Sequence, residues 1–453
     1  MSEGKARPKR AVLSPSTRPR KAVYVGVIGL GTVGTGTVKV LLDHEREVRR
    51  RLGCRLELKT ICSRSILKRD LSWIHGPIKT TTDWKEVLRD PEIDIIVELV
   101  GDLTTARAIA HATISAGKHL VTANKQLVAE HGMELVERSR SARVNLGLEA
   151  CVAGGTPIIH AIREGLAGEH FSGVYGILNG TTNYILTEME QRECAYQEAL
   201  VEAQQKGYAE PDPTFDVEGY DARYKIAILA MVCFGQPLPV ERIVVEGITR
   251  IEPVDFAYAH RLDRTIRLIA AAVRRPGNSV EIFVRPMIIP RASQLAKVAG
   301  PVNSIMLIGD KGGNTTVTGR GAGGEPTGVA ILSDMVQIAR SIIFGGGVTA
   351  PLGYADWSPV KIAPLENNQV ATYLRLVVRD RPGILARVCS ILARHRINID
   401  SVLQEPAHSK GGLPFVMTLE PTQEKNVRGA IAEIARLSFM AQPPLMLVFS
   451  QLP

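Results

Sequence analysis

The sequence predicts a protein of the α/β class that folds as three successive units. Strands and helices alternate along residues 22–150, in the pattern of a parallel sheet covered by helices. A glycine-rich turn separates the first strand of this series from the first helix. After residue 370 the order becomes βαββαβ, which is the ferredoxin-like layout. The region between them, residues 151–325, is expected to form an α+β unit around a mixed sheet.

Most of the positive charge lies at the start of the chain. The 453 residues carry a formal net charge of +9, and residues 1–21 contain seven Lys and Arg residues against Glu3 alone. Prolines interrupt this segment and no apolar stretch follows it. We therefore expect a disordered basic tail rather than a secretory signal, with only marginal support for a transit peptide. The rest of the chain has little net charge, which gives no support for nucleic-acid binding.

The cysteines and apolar segments indicate a reduced, cytoplasmic protein. The six cysteines are scattered without a Cys-x-x-Cys pair, which fits a protein without a structural zinc site. The sequence suggests no apolar run long enough to span a membrane, so no membrane contact is expected.

The glycine-rich turn predicts a dinucleotide site. It follows a buried strand at residues 22–28 and precedes a helix that runs to about Leu42. In this setting, the first two glycines allow a tight turn and close approach of a pyrophosphate, and the third allows the helix to pack on the strand. The free N–H groups at the helix start favour an anion. The predicted cofactor-binding residues are Gly29, Leu30, Gly31, Thr32, Val33 and Gly34.

The segment after the second strand bears on which cofactor is used. An NAD site usually has an acidic residue at the end of this strand, residues 55–62, to bind the ribose hydroxyls. Here Ser63, Arg64 and Ser65 follow instead, and Lys68 is near. We therefore favour NADP with Arg64 at its 2′-phosphate, while NAD and an ordinary surface role for Arg64 stay open.

Further strands are expected at residues 94–99, 119–121 and 143–148. Ligands bind at the carboxyl ends of strands in open α/β sheets, and Lys125 stands at such an end. Its position suits a lysine at the reactive edge of the cofactor, although an ordinary surface lysine at a helix start would look the same.

An acidic stretch in the second unit suits a small polar ligand. Gly207 begins a Gly-Tyr turn that continues through Glu210 and two prolines to Asp216. Asp221 and Lys225 follow four residues apart, on one face of a predicted helix. Such a group can bind a ligand and transfer a proton, or it can be a solvated loop with a surface ion pair.

Four motifs in order resemble homoserine dehydrogenase from about Val23 to Ile343. They are Val-Thr-Ala-Asn-Lys at 121–125, Glu-Ala-Cys-Val-Ala-Gly-Gly-Thr-Pro at 149–157, Leu-Asn-Gly-Thr-Thr-Asn-Tyr at 178–184 and Gly-Tyr-Ala-Glu-Pro-Asp-Pro at 207–213, the last followed by Asp-Val-Glu-Gly-Tyr-Asp-Ala. The resemblance implies NAD(P)-dependent interconversion of L-homoserine and L-aspartate 4-semialdehyde in threonine, methionine and isoleucine biosynthesis.

The resemblance also implies roles for single residues. Lys225 matches the family's proton donor, and Lys125 matches a second active-site lysine near the nicotinamide. Glu210 and Asp221 match substrate-binding residues, with Asp216 beside them. Two further glycines match cofactor contacts, namely Gly207 and Gly323.

A structural sodium ion is implied as well, held mainly by backbone carbonyls. The matching residues are Glu149, Val152, Gly154 and Thr156. Thr156 stands where the family often has an apolar residue, and Arg320 stands where proline is usual.

The remaining segments complete the middle unit. We expect strands at residues 240–245, 280–289, 303–308 and 314–318, and a helix over residues 255–272. A helix at 326–343 is expected to rejoin the first unit. The mixed sheet is expected to pair with a second copy, as a homodimer or homotetramer.

Residues 344–369 are expected to form a linker. Residues 370–453 resemble an ACT domain in two motifs, Asp-Arg-Pro-Gly-Ile-Leu at 380–385 and Arg-Ile-Asn-Ile-Asp-Ser at 396–401. Such domains often bind amino acids, and in this family they often serve feedback by L-threonine. Asp380, Gly383 and Asn398 match positions near the ligand. The alternative is a dimerising module without a ligand.

Two other functions stay open. One is an amino-acid sensor on an inactive dehydrogenase, which the presence of Lys125, Glu210, Asp221 and Lys225 argues against. The other is a related oxidoreductase such as aspartate-semialdehyde dehydrogenase, which needs a nucleophilic cysteine. Cys151 is the cysteine among the motif loops, but its surroundings match the sodium loop.

Overall fold

The computed structural model describes residues 21–235, 237–348, 350–357, 360–404, 412–450 and 452. The predicted basic tail lies outside the described residues except for Lys21.

The N-terminal unit is a parallel sheet with helices on both faces. Its strand order is β3-β2-β1-β4-β5-β6, and the order reverses between β1 and β4, as in doubly wound nucleotide-binding folds. The strands are Ala22–Ile28 (β1), Arg55–Cys62 (β2), Lys79–Thr81 (β3), Ile93–Glu98 (β4), His119–Thr122 (β5) and Leu146–Gly147 (β6). The helices are Thr32–Asp43 (α1), Glu45–Leu52 (α2), Trp84–Arg89 (α3), Leu103–Ser115 (α4) and Lys125–Ala142 (α5). The strand predicted at 143–148 is thus only two residues long.

The middle unit is a sheet with helices packed against it. The order β12-β11-β7-β9-β10 is antiparallel throughout, and β8 adds a short parallel pairing to β10. The helices are Ile158–His160 (α6), Gly180–Arg192 (α7), Tyr196–Gln205 (α8), Thr214–Val217 (α9), Tyr220–Phe234 (α10) and Pro253–Arg261 (α11). The strands are Phe171–Ile177 (β7), Val244–Val245 (β8), Arg264–Arg275 (β9), Ser279–Pro290 (β10), Val302–Gly309 (β11) and Asn314–Arg320 (β12).

The helix predicted at residues 255–272 is wrong in its second half. The helix ends at Arg261, Asp263 takes a left-handed φ of 54°, and β9 begins at Arg264. β9 lies between β7 and β10, and its continuous buried run from Thr265 to Ala272 shows that both of its faces are covered. A doubly buried strand has a continuous apolar run, which periodicity does not distinguish from a buried helix. The strand predicted at 240–245 is likewise reduced to β8, because Val240–Arg242 form a 3₁₀ turn.

After β12, a long helix returns the chain to the N-terminal unit. This helix, Gly324–Phe344 (α12), packs its buried Ile331 and Met335 into the same cluster as Val23 and Val25 of β1. Its length and mean hydropathy of 1.4 would allow it to cross a membrane, contrary to the expectation that no segment would. Half of that apolar stretch is buried within the protein, which accounts for its composition.

The C-terminal unit has the predicted ferredoxin-like order. The strands are Lys361–Ile362 (β13), Gln369–Val378 (β14), Ile399–Gln404 (β15), Leu413–Gln423 (β16) and Leu445–Phe449 (β17), and the helices are Ile384–Arg394 (α13) and Glu424–Ile434 (α14). The sheet order is β17-β14-β16-β15. β17 also pairs in parallel with β10, so the sheets of the middle and C-terminal units are continuous. β13, within the predicted linker, pairs with the other end of β10.

Buried polar contacts also hold the C-terminal unit on the middle unit. The Arg285 guanidinium lies 3.0 Å from the Glu424 carboxylate, and both side chains are almost fully buried. Tyr373 donates a hydrogen bond of 2.7 Å to Asp255. Because a buried charge is costly when its partner is lost, these contacts specify one docking position.

The contact between α1 and α12 depends on glycine. A Cβ on Gly36 would lie 2.1 Å from the carbonyl carbon of Gly324, which is backbone and cannot rotate away. We expect Gly36→Ala to destabilise the protein by about 1–3 kcal/mol or more. Gly132→Ala, in the interior of α5, is the matched control. The added Cβ would lie 3.5 Å from Val128, which is an ordinary contact. This substitution should stabilise the protein by about 0.5–1 kcal/mol.

Thermal unfolding of both variants and the parent tests this prediction. Unchanged unfolding of Gly36→Ala would contradict the close approach of the two helices.

Candidate active site

Two lysines from different units share one carboxylate. Lys225 lies one turn after Asp221 on α10, and its ammonium donates to Asp221 Oδ2 at 2.6 Å and to the Leu178 carbonyl at 2.8 Å. Lys125, the first residue of α5, places its Nζ 2.7 Å from Asp221 Oδ1. The structure thus brings together three predicted site residues that stand up to 100 positions apart in the sequence.

Burial makes this bridge electrostatically strong. Burial alone would raise the pKa of Asp221, but the ammonium groups of Lys225 and Lys125 outweigh it and hold that pKa well below its usual value. Burial opposes the charged form of Lys125, yet the Asp221 carboxylate raises the pKa of Lys125 above its usual value. Asp221 therefore lies between the two ammonium groups and compensates both charges.

Asn179 is the hub that orients the carboxylates. It caps the start of α7 by accepting a hydrogen bond of 2.8 Å from the Thr182 N–H. Its amide nitrogen donates to Asp216 Oδ1 at 2.7 Å and to Asp221 Oδ2 at 2.9 Å. Burial and the Asp221 charge both raise the pKa of Asp216. The Asn179 side chain therefore holds the start of α7 and both carboxylates in place.

The turn that contains Glu210 lies beside this cluster. Gly207 has a left-handed φ of 73°, which favours glycine. The Tyr208 carbonyl lies 2.6 Å from the Thr181 hydroxyl, which ties the turn to α7. Glu210 itself is exposed, and within the described part of the chain its carboxylate joins neither lysine.

The glycine-rich turn has the geometry of a phosphate-binding loop. Gly29 has a φ of 104°, and a Cβ on Gly34 would lie 2.1 Å from the Gly29 carbonyl oxygen. A Cβ on Gly31 would meet nothing within 4 Å, so the space above the start of α1 is open to a ligand. Gly29 and Gly34 therefore allow the tight turn and its close contact with α1, and Gly31 leaves the helix start open.

A cleft of about 310 Å³ extends from Val33, beside this turn, to Lys125. We name it the strand-end cleft, because it lies at the carboxyl ends of β4 and β5. Its lining residues are Val33, Leu99, Val100, Gly101, Ala123, Asn124, Lys125, Gln126 and Phe215. Lys125 therefore faces both this cleft and Asp221, so a cofactor and a substrate can meet at its side chain.

Two more predicted cofactor residues lie around the turn. Gly323 has a φ of 128° and caps the start of α12, and a Cβ on the following Gly324 would lie 2.8 Å from the Thr32 carbonyl oxygen. The chain thus returns to the glycine-rich turn at this point. Arg64 is exposed in the turn after β2.

The loop at residues 149–156 has features of a carbonyl cation site. Val152 and Gly154 are buried, and no hydrogen bond to their carbonyl oxygens occurs among the described residues. The Glu149 carbonyl accepts only a long bond of 3.4 Å from Val152, and the Thr156 carbonyl accepts one of 2.8 Å from Ile158. Buried carbonyls with spare acceptor capacity fit a sodium ion. No cluster of three or more His, Cys, Asp or Glu residues suited to a metal occurs in the described ranges.

A buried network that the sequence analysis missed supports this loop. Asp334 of α12 accepts a hydrogen bond from the Glu149 N–H at 2.9 Å and lies 2.8 Å from His160 Nε2. The Glu149 carboxylate accepts hydrogen bonds from the N–H groups of Ile159 and His160 at 3.0 and 2.7 Å. An acid within the apolar run of α12 was the available signal for Asp334.

Cys151 has no feature of a nucleophile. Its thiol is buried and lies 3.2 Å from the Thr122 carbonyl oxygen, to which it can donate. Burial raises the pKa of the thiol well above its usual value, so the thiolate is disfavoured.

The three predicted effector residues lie in two loops of the C-terminal unit. Asp380 and Gly383 occupy the turn between β14 and α13, and Asn398 precedes β15. All three are exposed, and Asn398 donates a hydrogen bond of 3.1 Å to Glu420.

Comparison with protein families assigns all three units. A model described as homoserine dehydrogenase matches residues 157–336, and one described as the homoserine dehydrogenase NAD-binding domain matches residues 29–149. A model described as the ACT domain matches residues 372–439.

Similar proteins extend over nearly the whole chain. Homoserine dehydrogenase from Pseudomonas aeruginosa is 39% identical over 436 residues, which cover 95% of this chain and 100% of that protein. Homoserine dehydrogenase from Helicobacter pylori is 35% identical over 94% of this chain and 99% of its own length.

Solved structures show the same similarity. A homoserine dehydrogenase from Thiobacillus denitrificans has a TM-score of 0.86 at 40% identity, covering 95% of this chain and 98% of its own. A hyperthermophilic archaeal homoserine dehydrogenase in complex with NADPH has a TM-score of 0.60 at 25% identity, covering 70% of this chain and 97% of its own.

A buried acid beneath the strand-end cleft predicts a pH-dependent stability. Glu98 accepts hydrogen bonds from the Val100 N–H and the Thr122 hydroxyl, yet burial raises its pKa from 4.5 to about 7. The folded protein thus holds this proton more tightly than the unfolded chain does. Glu98 therefore lowers the free energy of unfolding increasingly as the pH rises from 4.5 to about 7.

We expect Glu98→Gln to be more stable than the parent at pH 8 by about 2 kcal/mol, with a smaller difference at pH 5. Urea unfolding at both pH values measures this, with Glu137→Gln at an exposed site of α5 as the control. An equal difference at the two pH values would contradict a neutral Glu98.

Proposed function

Because the chain belongs to the homoserine dehydrogenase family, we propose that it interconverts L-homoserine and L-aspartate 4-semialdehyde with a nicotinamide cofactor. The proposal includes a cytoplasmic role in the biosynthesis of threonine, methionine and isoleucine. The observation that supports it most directly is the Lys125–Asp221–Lys225 bridge at the end of the strand-end cleft.

Lys225 suits the role of proton donor. Reduction of the aldehyde requires a hydride at carbon, which a reduced nicotinamide supplies, and a proton at oxygen. An ammonium group has three N–H donors, and Lys225 uses two of them on Asp221 and the Leu178 carbonyl. The third is available to donate to the substrate oxygen. Because Asp221 and Leu178 also hold the side chain in place, the donor is preorganised.

Charge balance in the site supports the substrate-binding roles. The two lysines are balanced by Asp221 and Asp216, so an incoming ammonium group needs a further carboxylate. Glu210 can supply it, since no cation lies within ion-pair distance of Glu210 in the described part of the chain. We therefore assign the substrate's amino group to Glu210 and its reacting oxygen to Lys225, with Asp216 and Asp221 holding the pocket.

We favour NADP as the cofactor, with NAD also accepted. Arg64 stands exposed at the carboxyl end of β2, and a guanidinium there suits a 2′-phosphate. The similar archaeal homoserine dehydrogenase was solved with NADPH, which agrees with this choice. Gly29–Gly34, Lys125, Gly207 and Gly323 complete the proposed cofactor contacts.

We further propose that the loop at residues 149–156 binds sodium through the carbonyls of Glu149, Val152, Gly154 and Thr156. The ion would stabilise the loop and would not contact the substrate. The buried carbonyls of Val152 and Gly154, which accept no hydrogen bond within the described part of the chain, support this assignment.

The C-terminal ACT domain is proposed to bind an amino acid, with L-threonine as the first candidate and Asp380, Gly383 and Asn398 as contacts. The proposed assembly is a homodimer or homotetramer.

The function is tested by L-homoserine-dependent reduction of NADP⁺, repeated with NAD⁺ and then with added L-threonine. We expect turnover with NADP⁺ and suppression by threonine. Turnover that is indifferent to threonine would contradict only the effector assignment. Absence of turnover with either cofactor, in folded protein, would contradict the enzymatic function and favour an amino-acid sensor.

Loss of Lys225 should act on turnover rather than on cofactor binding. In Lys225→Ala, Asp221 keeps its ion pair with Lys125, so the pocket retains a compensated charge. We expect kcat to fall by about 10²–10⁴-fold, which is the usual contribution of a general acid, while cofactor affinity changes little.

Steady-state kinetics and cofactor titration test this, with Lys297→Ala at an exposed site of the same unit as the control. Near-normal kcat in Lys225→Ala would show that another group donates the proton.

A further inference from the structure

Phe215 is an exposed aromatic residue at the mouth of the site. It lies in α9, next to Asp216, and 44% of its surface is accessible. All other described residues that line the strand-end cleft belong to the N-terminal unit, between Val33 and Gln126. Phe215 is therefore the contribution of the middle unit to the wall of this cleft.

The ring is held in place despite its exposure. Tyr224 stacks on it with ring centroids 6.0 Å apart and an interplanar angle of 22°, and Tyr220 lies at 6.5 Å. On the cleft side, the Lys125 ammonium lies 5.4 Å from the ring centroid, within the range of a cation–π contact. An aromatic ring that is held in place beside an open space is suited to packing against a planar ligand.

We propose that Phe215 forms the aromatic wall against which the nicotinamide ring of the cofactor packs. This inference rests on the proposed cofactor. A pyrophosphate at the open start of α1 directs the other half of a dinucleotide along the ends of β4 and β5 into the strand-end cleft. The nicotinamide then lies beside Lys125 and packs against the Phe215 side chain. Because the Lys125 ammonium contacts the Phe215 ring, Phe215 is a positioning residue as well as a cofactor contact.

Three substitutions at this position separate the properties of the ring. Phe215→Tyr keeps the aromatic face, Phe215→Leu keeps apolar bulk without it, and Phe215→Ala removes both. Aromatic pairs contribute about 0.5–1.5 kcal/mol beyond their buried area, which corresponds to about 2- to 12-fold in affinity. We expect NADPH affinity to fall by at least this factor in Phe215→Ala, by less in Phe215→Leu, and little in Phe215→Tyr.

The control ligand is 2′-phospho-ADP-ribose, which lacks the nicotinamide. Its affinity should be the same for the parent and all three variants. The control variant is Phe344→Ala, an exposed phenylalanine at the end of α12 that does not line the cleft. The affinity for NADPH is measured by titration with NADPH fluorescence as the signal, and that for 2′-phospho-ADP-ribose by displacement of NADPH. If the activity assay identifies NAD as the cofactor, NADH and ADP-ribose replace these two ligands.

The outcomes discriminate between the roles. Equal NADPH affinity for the parent and Phe215→Ala would overturn the inference. Two other results would show that Phe215 has only a structural role in the loop, and either would also overturn the inference. One is an equal loss of affinity for NADPH and for 2′-phospho-ADP-ribose in Phe215→Ala. The other is a rise in the KM for homoserine as large as the rise in the KM for the cofactor. A parent protein that binds neither NADPH nor NADH would instead overturn the proposed function.

Discussion

The site depends on one buried carboxylate, that of Asp221. Two ammonium groups could not share this interior without a negative charge between them, and Asp221 binds each through a different oxygen at 2.6 and 2.7 Å. The bridge joins the middle unit, which carries Lys225, to the N-terminal unit, which carries Lys125. It therefore sets the distance between the proposed substrate pocket and the strand-end cleft. Asn179 fixes the direction of the carboxylate, so the geometry is determined before a ligand arrives.

Geometry that depends on residues close together in the sequence could be predicted. The glycines at 29, 31 and 34 have roles that follow from local backbone geometry, and the spacing of Asp221 and Lys225 follows from the helical repeat. The long-range partners could not be predicted in this way. Asp334 meets Glu149 and His160 from about 180 positions away, and no local pattern records such a contact. Similarly, burial on both faces made β9 look helical, because alternation of polar and apolar residues is what normally reveals a strand.

The motifs contained several polar residues of the candidate site but did not show the contacts that each side chain makes. Asn179 belongs to the motif at residues 178–184, and the structure uses it as a helix cap and as a donor to two carboxylates. The position of Lys125 at a strand end gave no sign of its ion pair with Asp221. In both cases a carboxylate partner stands far away in the sequence, so a one-dimensional pattern does not show the contact.

The return of α12 to the first sheet has a consequence for how the chain acquires its structure. Residues 22–147 supply all six strands of that sheet, yet Ile331, Met335 and Ile338 complete its hydrophobic core. A ribosome must therefore add nearly 200 more residues before the core that covers β1 can close. During this interval the first sheet exposes an apolar face. The middle unit lies between the last strand of this sheet and α12 in the sequence, so it can assemble in the meantime. The hydrophobic core of the N-terminal unit is thus completed only after α12 has been synthesised. Until then, the exposed apolar face of the sheet is the surface that a chaperone would need to protect.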